Sequence, residues 1–147
     1  MDDTGQPTSQ GGSQGTAGPQ VGGRVGPEAA YLLVSREGYA YVDIRDPDEF
    51  EEGRPIGAVS FPFSASTAAQ FVAAIRSHFQ ADSKLVVGCN SGKRSLLAVR
   101  ALVESGFVNV IECRTGWDGA RGIFGELREP GWRRVGLPTE NGSPKRS

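Results

Sequence analysis

The chain has 147 residues, enough for one domain around one hydrophobic core. Its 16 Lys and Arg nearly balance 17 Asp and Glu, and no basic stripe stands out, which argues against nucleic acid or an anionic membrane as the main partner. No apolar run is long enough to span a bilayer, and two cysteines make no disulfide framework and no metal-ligand cluster.

Residues 1–22 are mostly Gly, Gln, Ser, Thr and Pro. Such a stretch cannot bury apolar area and is predicted to be a disordered leader. It has no apolar core of the kind a secretory signal carries, and Asp2 and Asp3 argue against an intact transit peptide. A domain over 23–138 follows. Its first helix is predicted over 27–35, with Pro27 suited to the first turn and Ala29, Ala30, Leu32 and Leu33 as the apolar set. A strand is predicted over 39–44, then a short acidic helix over 47–51 with Asp46 as N-cap. A short strand over 58–61 precedes a helix over 67–77 that carries Ala68, Phe71, Val72 and Ile75 on one face. His78, the one histidine of the chain, reads as a solvated residue at that helix end. The apolar strand over 84–88 has the character of a sheet centre covered on both faces. A helix over 91–105 carries Leu96, Leu97, Val99, Ala101, Leu102 and Val103 and stops at Gly106. The last strand spans 109–112, and residues 139–147 are predicted to be a flexible tail. Strands alternating with helices imply a parallel α/β sheet with helices on both faces, and ligands in such sheets sit beyond the carboxyl ends of the strands.

One heptad stands at that place, Cys89-Asn90-Ser91-Gly92-Lys93-Arg94-Ser95. The backbone N–H groups of a turn into a helix, the helix N-terminus and two cations favour a thiolate and attract a small anion. A nucleophilic sulfur beside an anion pocket points to covalent chemistry on an anionic substrate. Two rival loops fail on counting. A nucleotide-binding phosphate loop needs four residues between its glycines and then Lys followed by Ser or Thr, whereas Gly88 and Gly92 enclose three and Arg94 follows Lys93. A cysteine-phosphatase loop has five residues between Cys and Arg, and here there are four. The tighter loop suits a sulfur atom carried on the cysteine better than a tetrahedral phosphate.

The heptad resembles the active loop of rhodanese-type sulfurtransferases. Tyr41-Val42-Asp43-Ile44-Arg45-Asp46-Pro47-Asp48-Glu49-Phe50 is similar to that family's strand and acidic helix, and Gly57-Ala58-Val59-Ser60-Phe61-Pro62 to its Gly-Ala strand ending in Pro. Gly106-Phe107-Val108-Asn109-Val110, Trp132 and Gly136-Leu137-Pro138 match the family's later motifs. The likeness runs from about Arg24 to Pro138 and is greatest to plant-type single-domain sulfurtransferases. Three places depart from the pattern. Gly53-Arg54-Pro55-Ile56 replaces the usual Gly-His-Ile, Thr115-Gly116 replaces Gly-Gly, and 119–131 is an insertion.

The resemblance implies a rhodanese-like fold with a central parallel five-stranded sheet. It implies sulfur transfer from thiosulfate, or a related small anionic sulfur donor, through a persulfide on Cys89. The acceptor is cyanide or a thiol such as glutathione or thioredoxin. Asn90, Ser91, Gly92, Lys93, Arg94 and Ser95 are then the substrate-binding set, with Arg94 curling back under the loop and Lys93 facing the anion. Asp43 and Arg45 support the loop, or form an ordinary ion pair at a strand end. Cys113 ends the last strand as Cys89 ends its own, and is either a buried structural thiol or a redox partner for Cys89. No cofactor, nucleic acid or membrane is expected, and the protein is expected to be a monomer in a reducing intracellular compartment, plastid by family resemblance or cytoplasm. The alternative readings are a persulfide carrier or redox-sensing interaction module with little turnover of free thiosulfate, and a thiol phosphatase or arsenate reductase, disfavoured by loop length.

Overall fold

The structure, a computed structural model, describes residues 20–143. The predicted leader up to residue 19 and the end of the predicted tail, 144–147, lie outside the described residues. The elements in chain order are β1 (Arg24–Val25), α1 (Pro27–Arg36), β2 (Ala40–Asp43), α2 (Pro47–Glu52), β3 (Arg54–Pro55), β4 (Val59–Ser60), α3 (Ala68–His78), β5 (Leu85–Gly88), α4 (Arg94–Glu104), β6 (Val110–Cys113), β7 (Gly119–Arg121), β8 (Leu127–Pro130) and β9 (Thr139–Glu140). Short 3-10 turns occupy Ala65–Thr67 and Trp132–Arg134.

Five strands form one parallel sheet in the order β1-β6-β5-β2-β4. Right-handed crossovers explain where the helices lie. The steps β1 to β2 and β2 to β4 run one way across the sheet, and their helices α1 and α2 pack on one face. The steps β4 to β5 and β5 to β6 run back, so α3 and α4 must pack on the other. The two core layers agree. Val42, Ile44, Leu85, Val87, Cys89 and Val110 meet Phe71, Val72 and Ile75 of α3 and Ala98, Val99 and Leu102 of α4. Tyr41, Val86 and Cys113 meet Ala30 of α1, Phe50 of α2 and Trp132. The alternation along each strand is the period-two rule acting on a sheet buried on both sides. The order of strands reverses direction between β2 and β5, and Asp43 lies opposite Gly88 there. The loop that follows Gly88 therefore opens at the switch point, where such sheets bind ligands.

Several sequence expectations need correction. Helix α4 starts at Arg94, three residues late, because Cys89 to Lys93 are held in the loop. Its buried stripe is Ser95, Ala98, Val99 and Leu102, the i, i+3, i+4, i+7 set, so Leu96 and Leu97 stay 43% and 46% exposed. The tail is not free over its described part. Strand β9 pairs antiparallel with β3, the segment that replaces Gly-His-Ile. Arg54 is buried there and must satisfy its guanidinium. It donates to Phe50 O at 3.0 Å and Gly142 O at 2.7 Å and pairs with Glu140 at 3.4 Å, which pins residues 140–142 to the domain. The insertion is a β7–β8 hairpin, with Ile123 and Phe124 exposed near its tip. Among the described residues, no helix is long and apolar enough to cross a membrane.

Candidate functional site

The chain leaves β5 at Gly88 and reaches α4 at Arg94 through a turn that closes around one sulfur. Cys89 is 2% exposed, and its Sγ accepts the Gly92 N–H at 3.1 Å and lies 3.5 Å from Ser95 Oγ. Gly92 is required by two constraints. Its φ of +90° lies in the left-handed region, and a Cβ there would stand 2.0 Å from Arg114 O.

A second segment clamps this loop from outside. Trp117 N–H donates to Cys89 O at 2.8 Å, and the N–H groups of Asp118 and Gly119 donate to Asn90 O at 2.9 and 3.2 Å. Gly116 permits the approach, since with φ +61° a Cβ would come within 2.2 Å of Cys89 O. The insertion is thus rooted in the clamp. Asp118 at its base accepts from Arg121 at 2.9 Å and Arg133 at 2.8 Å and pairs with Arg134 at 3.0 Å. Burial pushes the Asp118 carboxyl up, but those hydrogen bonds and the charges of Arg133 and Arg134 outweigh it and hold it below its ordinary value. Arg114 grips Glu129 of β8 through two bonds of 2.9 and 2.7 Å.

Asp43 and Arg45 form a fully buried bidentate pair, with Arg45 Nε to Asp43 Oδ1 at 3.0 Å and Nη2 to Oδ2 at 2.7 Å. Arg45 also donates to Gly53 O at 2.7 Å and lies over the Trp117 ring at 5.0 Å. The pair therefore reaches the loop through Trp117. Lys93 is exposed. Arg94 does not curl under the loop as the sequence suggested. As the first residue of α4 it projects outward, its Nη2 4.0 Å from Glu49 Oε1 and its side chain 38% exposed. The clamp does the bracing expected of it.

In the structure, Cys113 agrees with the buried structural thiol and not with the redox partner. It packs in the layer of Tyr41, Val86 and Trp132, whereas Cys89 belongs to the opposite layer, and both are free thiols. Burial pushes the Cys113 thiol up, and the nearby Thr115 hydroxyl, 3.9 Å from its sulfur, only partly opposes this. It is a core thiol with no path through the sheet to Cys89. Among the described residues, no cluster of three or more His, Cys, Asp or Glu is placed to hold a metal. A cleft of about 680 Å³ runs along the open edge at β4, past Phe50, Arg54, Phe61 and His78, and Cys89 does not line it.

Sequence reasoning missed Glu112. This carboxylate of β6 is fully buried, accepts the Ser95 hydroxyl on Oε2 and pairs with Arg24 through Oε1. A signal was present, because a lone carboxylate in the apolar run Val110-Ile111-Glu112-Cys113 needs a partner if it is to be buried.

Residues 26–121 match the family described as Rhodanese-like domain. Thiosulfate sulfurtransferase 16, chloroplastic, of Arabidopsis thaliana is 31% identical over 109 residues, covering 70% of this chain and 81% of that one. Senescence-associated protein DIN1 of Raphanus sativus is 33% identical over 101 residues, 62% of this chain, and the match takes in 55% of the radish protein's length. Thiosulfate sulfurtransferase GlpE of Glaesserella parasuis is 29% identical over 116 residues, with 79% and 91% coverage. Among solved structures, Rv0390 from M. tuberculosis aligns with a TM-score of 0.66 at 25% identity, covering 82% of this chain and 98% of that one.

Proposed function

Because the chain belongs to the rhodanese-like domain family, we propose that it is a sulfurtransferase working through a persulfide on Cys89. The observation that carries this reading is the Cys89 sulfur itself. It is enclosed by a four-residue turn, receives the Gly92 N–H at 3.1 Å and faces the start of α4. A backbone N–H donor and a helix start beside a sulfur are the kind of groups that can hold a persulfide anion once it forms.

The reaction has two steps. The Cys89 thiolate attacks the outer sulfur of thiosulfate. A new S–S bond forms, the old one breaks, and sulfite leaves with its electron pair. The loop N–H groups hold the resulting persulfide anion. A nucleophilic acceptor (cyanide, or a thiolate such as that of glutathione or thioredoxin) then attacks the outer sulfur and expels the Cys89 thiolate. Lys93 on the exposed side of the loop, with Arg94 at the rim of α2, draws the anionic sulfur donor in. Two half-reactions through a covalent intermediate give ping-pong kinetics. The likeness to thiosulfate sulfurtransferases supports thiosulfate as the sulfur source. The Arabidopsis thaliana relative named as chloroplastic supports a plastid setting.

A second reading is a carrier that passes the persulfide to one protein partner. The hairpin favours it, since its base is bonded to Cys89 O and Asn90 O while Ile123 and Phe124 stand about nine-tenths exposed. One experiment addresses both. The intact mass is recorded after incubation with thiosulfate, and turnover is then followed with cyanide or glutathione. A gain of one sulfur on Cys89 with turnover supports the enzyme, and a gain without turnover supports the carrier. No gain on Cys89 refutes both.

A further inference from the structure

Glu112 takes no part in that scheme, and its burial calls for a reason. An apolar residue of similar volume commonly stabilises such a position as well or better. Both carboxylate oxygens are engaged, Oε1 by Arg24 Nε and Oε2 by the Ser95 hydroxyl. Ser95 in turn lies 3.5 Å from Cys89 Sγ. A serine hydroxyl has one proton and two lone pairs. Its proton is directed at Glu112, so Ser95 meets the sulfur with a lone pair. A thiol can donate to that lone pair, but a sulfur anion gains nothing from it. The Gly92 N–H remains the hydrogen-bond donor on the sulfur, at 3.1 Å.

We infer that Glu112 is a positioning residue for Cys89. By holding the Ser95 proton it fixes Ser95 as an acceptor and restrains the reactivity of the sulfur in the resting protein. The inference rests on Cys89 being the reactive thiol. It adds a control on that thiol from β6, outside the loop, in a chain of contacts from Arg24 through Glu112 and Ser95 to the sulfur.

Arg24 makes the test directional. A guanidinium only donates, so in Glu112→Gln it takes the amide oxygen and leaves the NH2 group facing Ser95. Ser95 then accepts there and turns its own proton to the sulfur. The readout is the rate at which iodoacetamide alkylates Cys89 in the full chain, followed by peptide mass so that Cys113 does not interfere. Glu112→Gln should raise this rate about tenfold, the usual effect of one added hydrogen bond to a charged group. In a Ser95→Ala background the same change should raise it less than about threefold, because only the charge of Glu112 is then removed. An unchanged or slower rate for Glu112→Gln overturns the inference, and so do equal factors in the two backgrounds. Should Glu112→Gln fail to fold, Ser95→Ala alone decides. Loss of the acceptor should speed alkylation about threefold, whereas an unchanged or slower rate overturns the inference. Sulfur loading from thiosulfate that survives while these rates refuse to move refutes the Glu112 assignment and leaves the persulfide reading standing.

Discussion

Cys89 and Cys113 sit at the carboxyl ends of neighbouring parallel strands, both buried and both free. Strands β5 and β6 pair Val87 with Glu112, so Cys113 stands level with Gly88 and Cys89 comes one residue later. That one residue places the two sulfurs on opposite faces of the sheet. Cys89 meets a turn, a backbone N–H and a helix start. Cys113 meets Tyr41, Thr115 and a packed aromatic layer, where burial pushes its thiol up. Two thiols alike in burial and in place along the strand therefore differ in the groups that turn toward the sulfur.

The sharpest way to break this comparison is to remove each sulfur in turn. Cys89→Ser should abolish sulfur loading from thiosulfate, read by intact mass, with an unchanged far-ultraviolet circular dichroism spectrum. Cys113→Ala should load normally and lose about 1 kcal/mol of stability from the small cavity it leaves. Loading that depends on Cys113 would end the distinction between the two.

Gly92→Ala should come next in size. The new Cβ meets Arg114 O and the backbone is forced out of φ +90°. The change should cost about 2 kcal/mol of stability and slow loading at least about tenfold by moving the N–H off the sulfur. Paired measurements of melting temperature and loading rate check both. A variant that loads at full speed would show that the turn does not set the sulfur's environment.

Peroxide treatment tests the separation of faces. Peptide mapping should find oxidation on Cys89 with Cys113 still a free thiol, because a bridge needs Cα atoms within about 7 Å and side chains pointing toward each other. A Cys89–Cys113 linked peptide would contradict the placement of Cys113 in the opposite layer.

The smallest effect belongs to the Arg114–Glu129 pair, which steadies the carbonyl that Gly92 packs against. A hydrogen bond from Arg114 holds the Glu129 carboxyl below its ordinary value, and partial burial only partly opposes this. A lowered carboxylate contributes stability above its unfolded-state value and loses it as pH falls through the folded one. The side chains are 40% and 37% exposed, so Glu129→Gln should cost less than about 1 kcal/mol at pH 7. The gap in melting temperature between the two proteins should close in acid. A gap that widens as pH falls would reverse the assigned sign.

Local patterns were legible where one short segment carries its own reason. The apolar run ending in Gly88, the turn glycine Gly92 and the stop at Gly106 placed the strand, loop and helix around Cys89. Arg94 was misplaced because its partner, Glu49, lies on another element 45 residues away in the chain. Leu96 and Leu97 are apolar yet exposed, because apolar character does not reveal which side of a helix faces the sheet; the helix phase does, and its buried stripe begins with Ser95. The β3–β9 pair was invisible because each strand is two residues long, too short for any period to show.

The residues alone were enough to place a cysteine at the end of a central strand, before a helix, with four residues between it and Arg94. Those are properties of contiguous residues and follow from period, turn chemistry and spacing. Which groups surround that sulfur was settled by packing between distant segments. Ser95, Glu112 and Arg24 come together through the register of three strands and the phase of one helix. Trp117 reaches Cys89 O because Gly116 and Gly53 leave room for its backbone and its ring. Cys113 is turned away by one residue of register. Each of these outcomes depends on how distant segments align, and a single step in register along a strand would have reversed it.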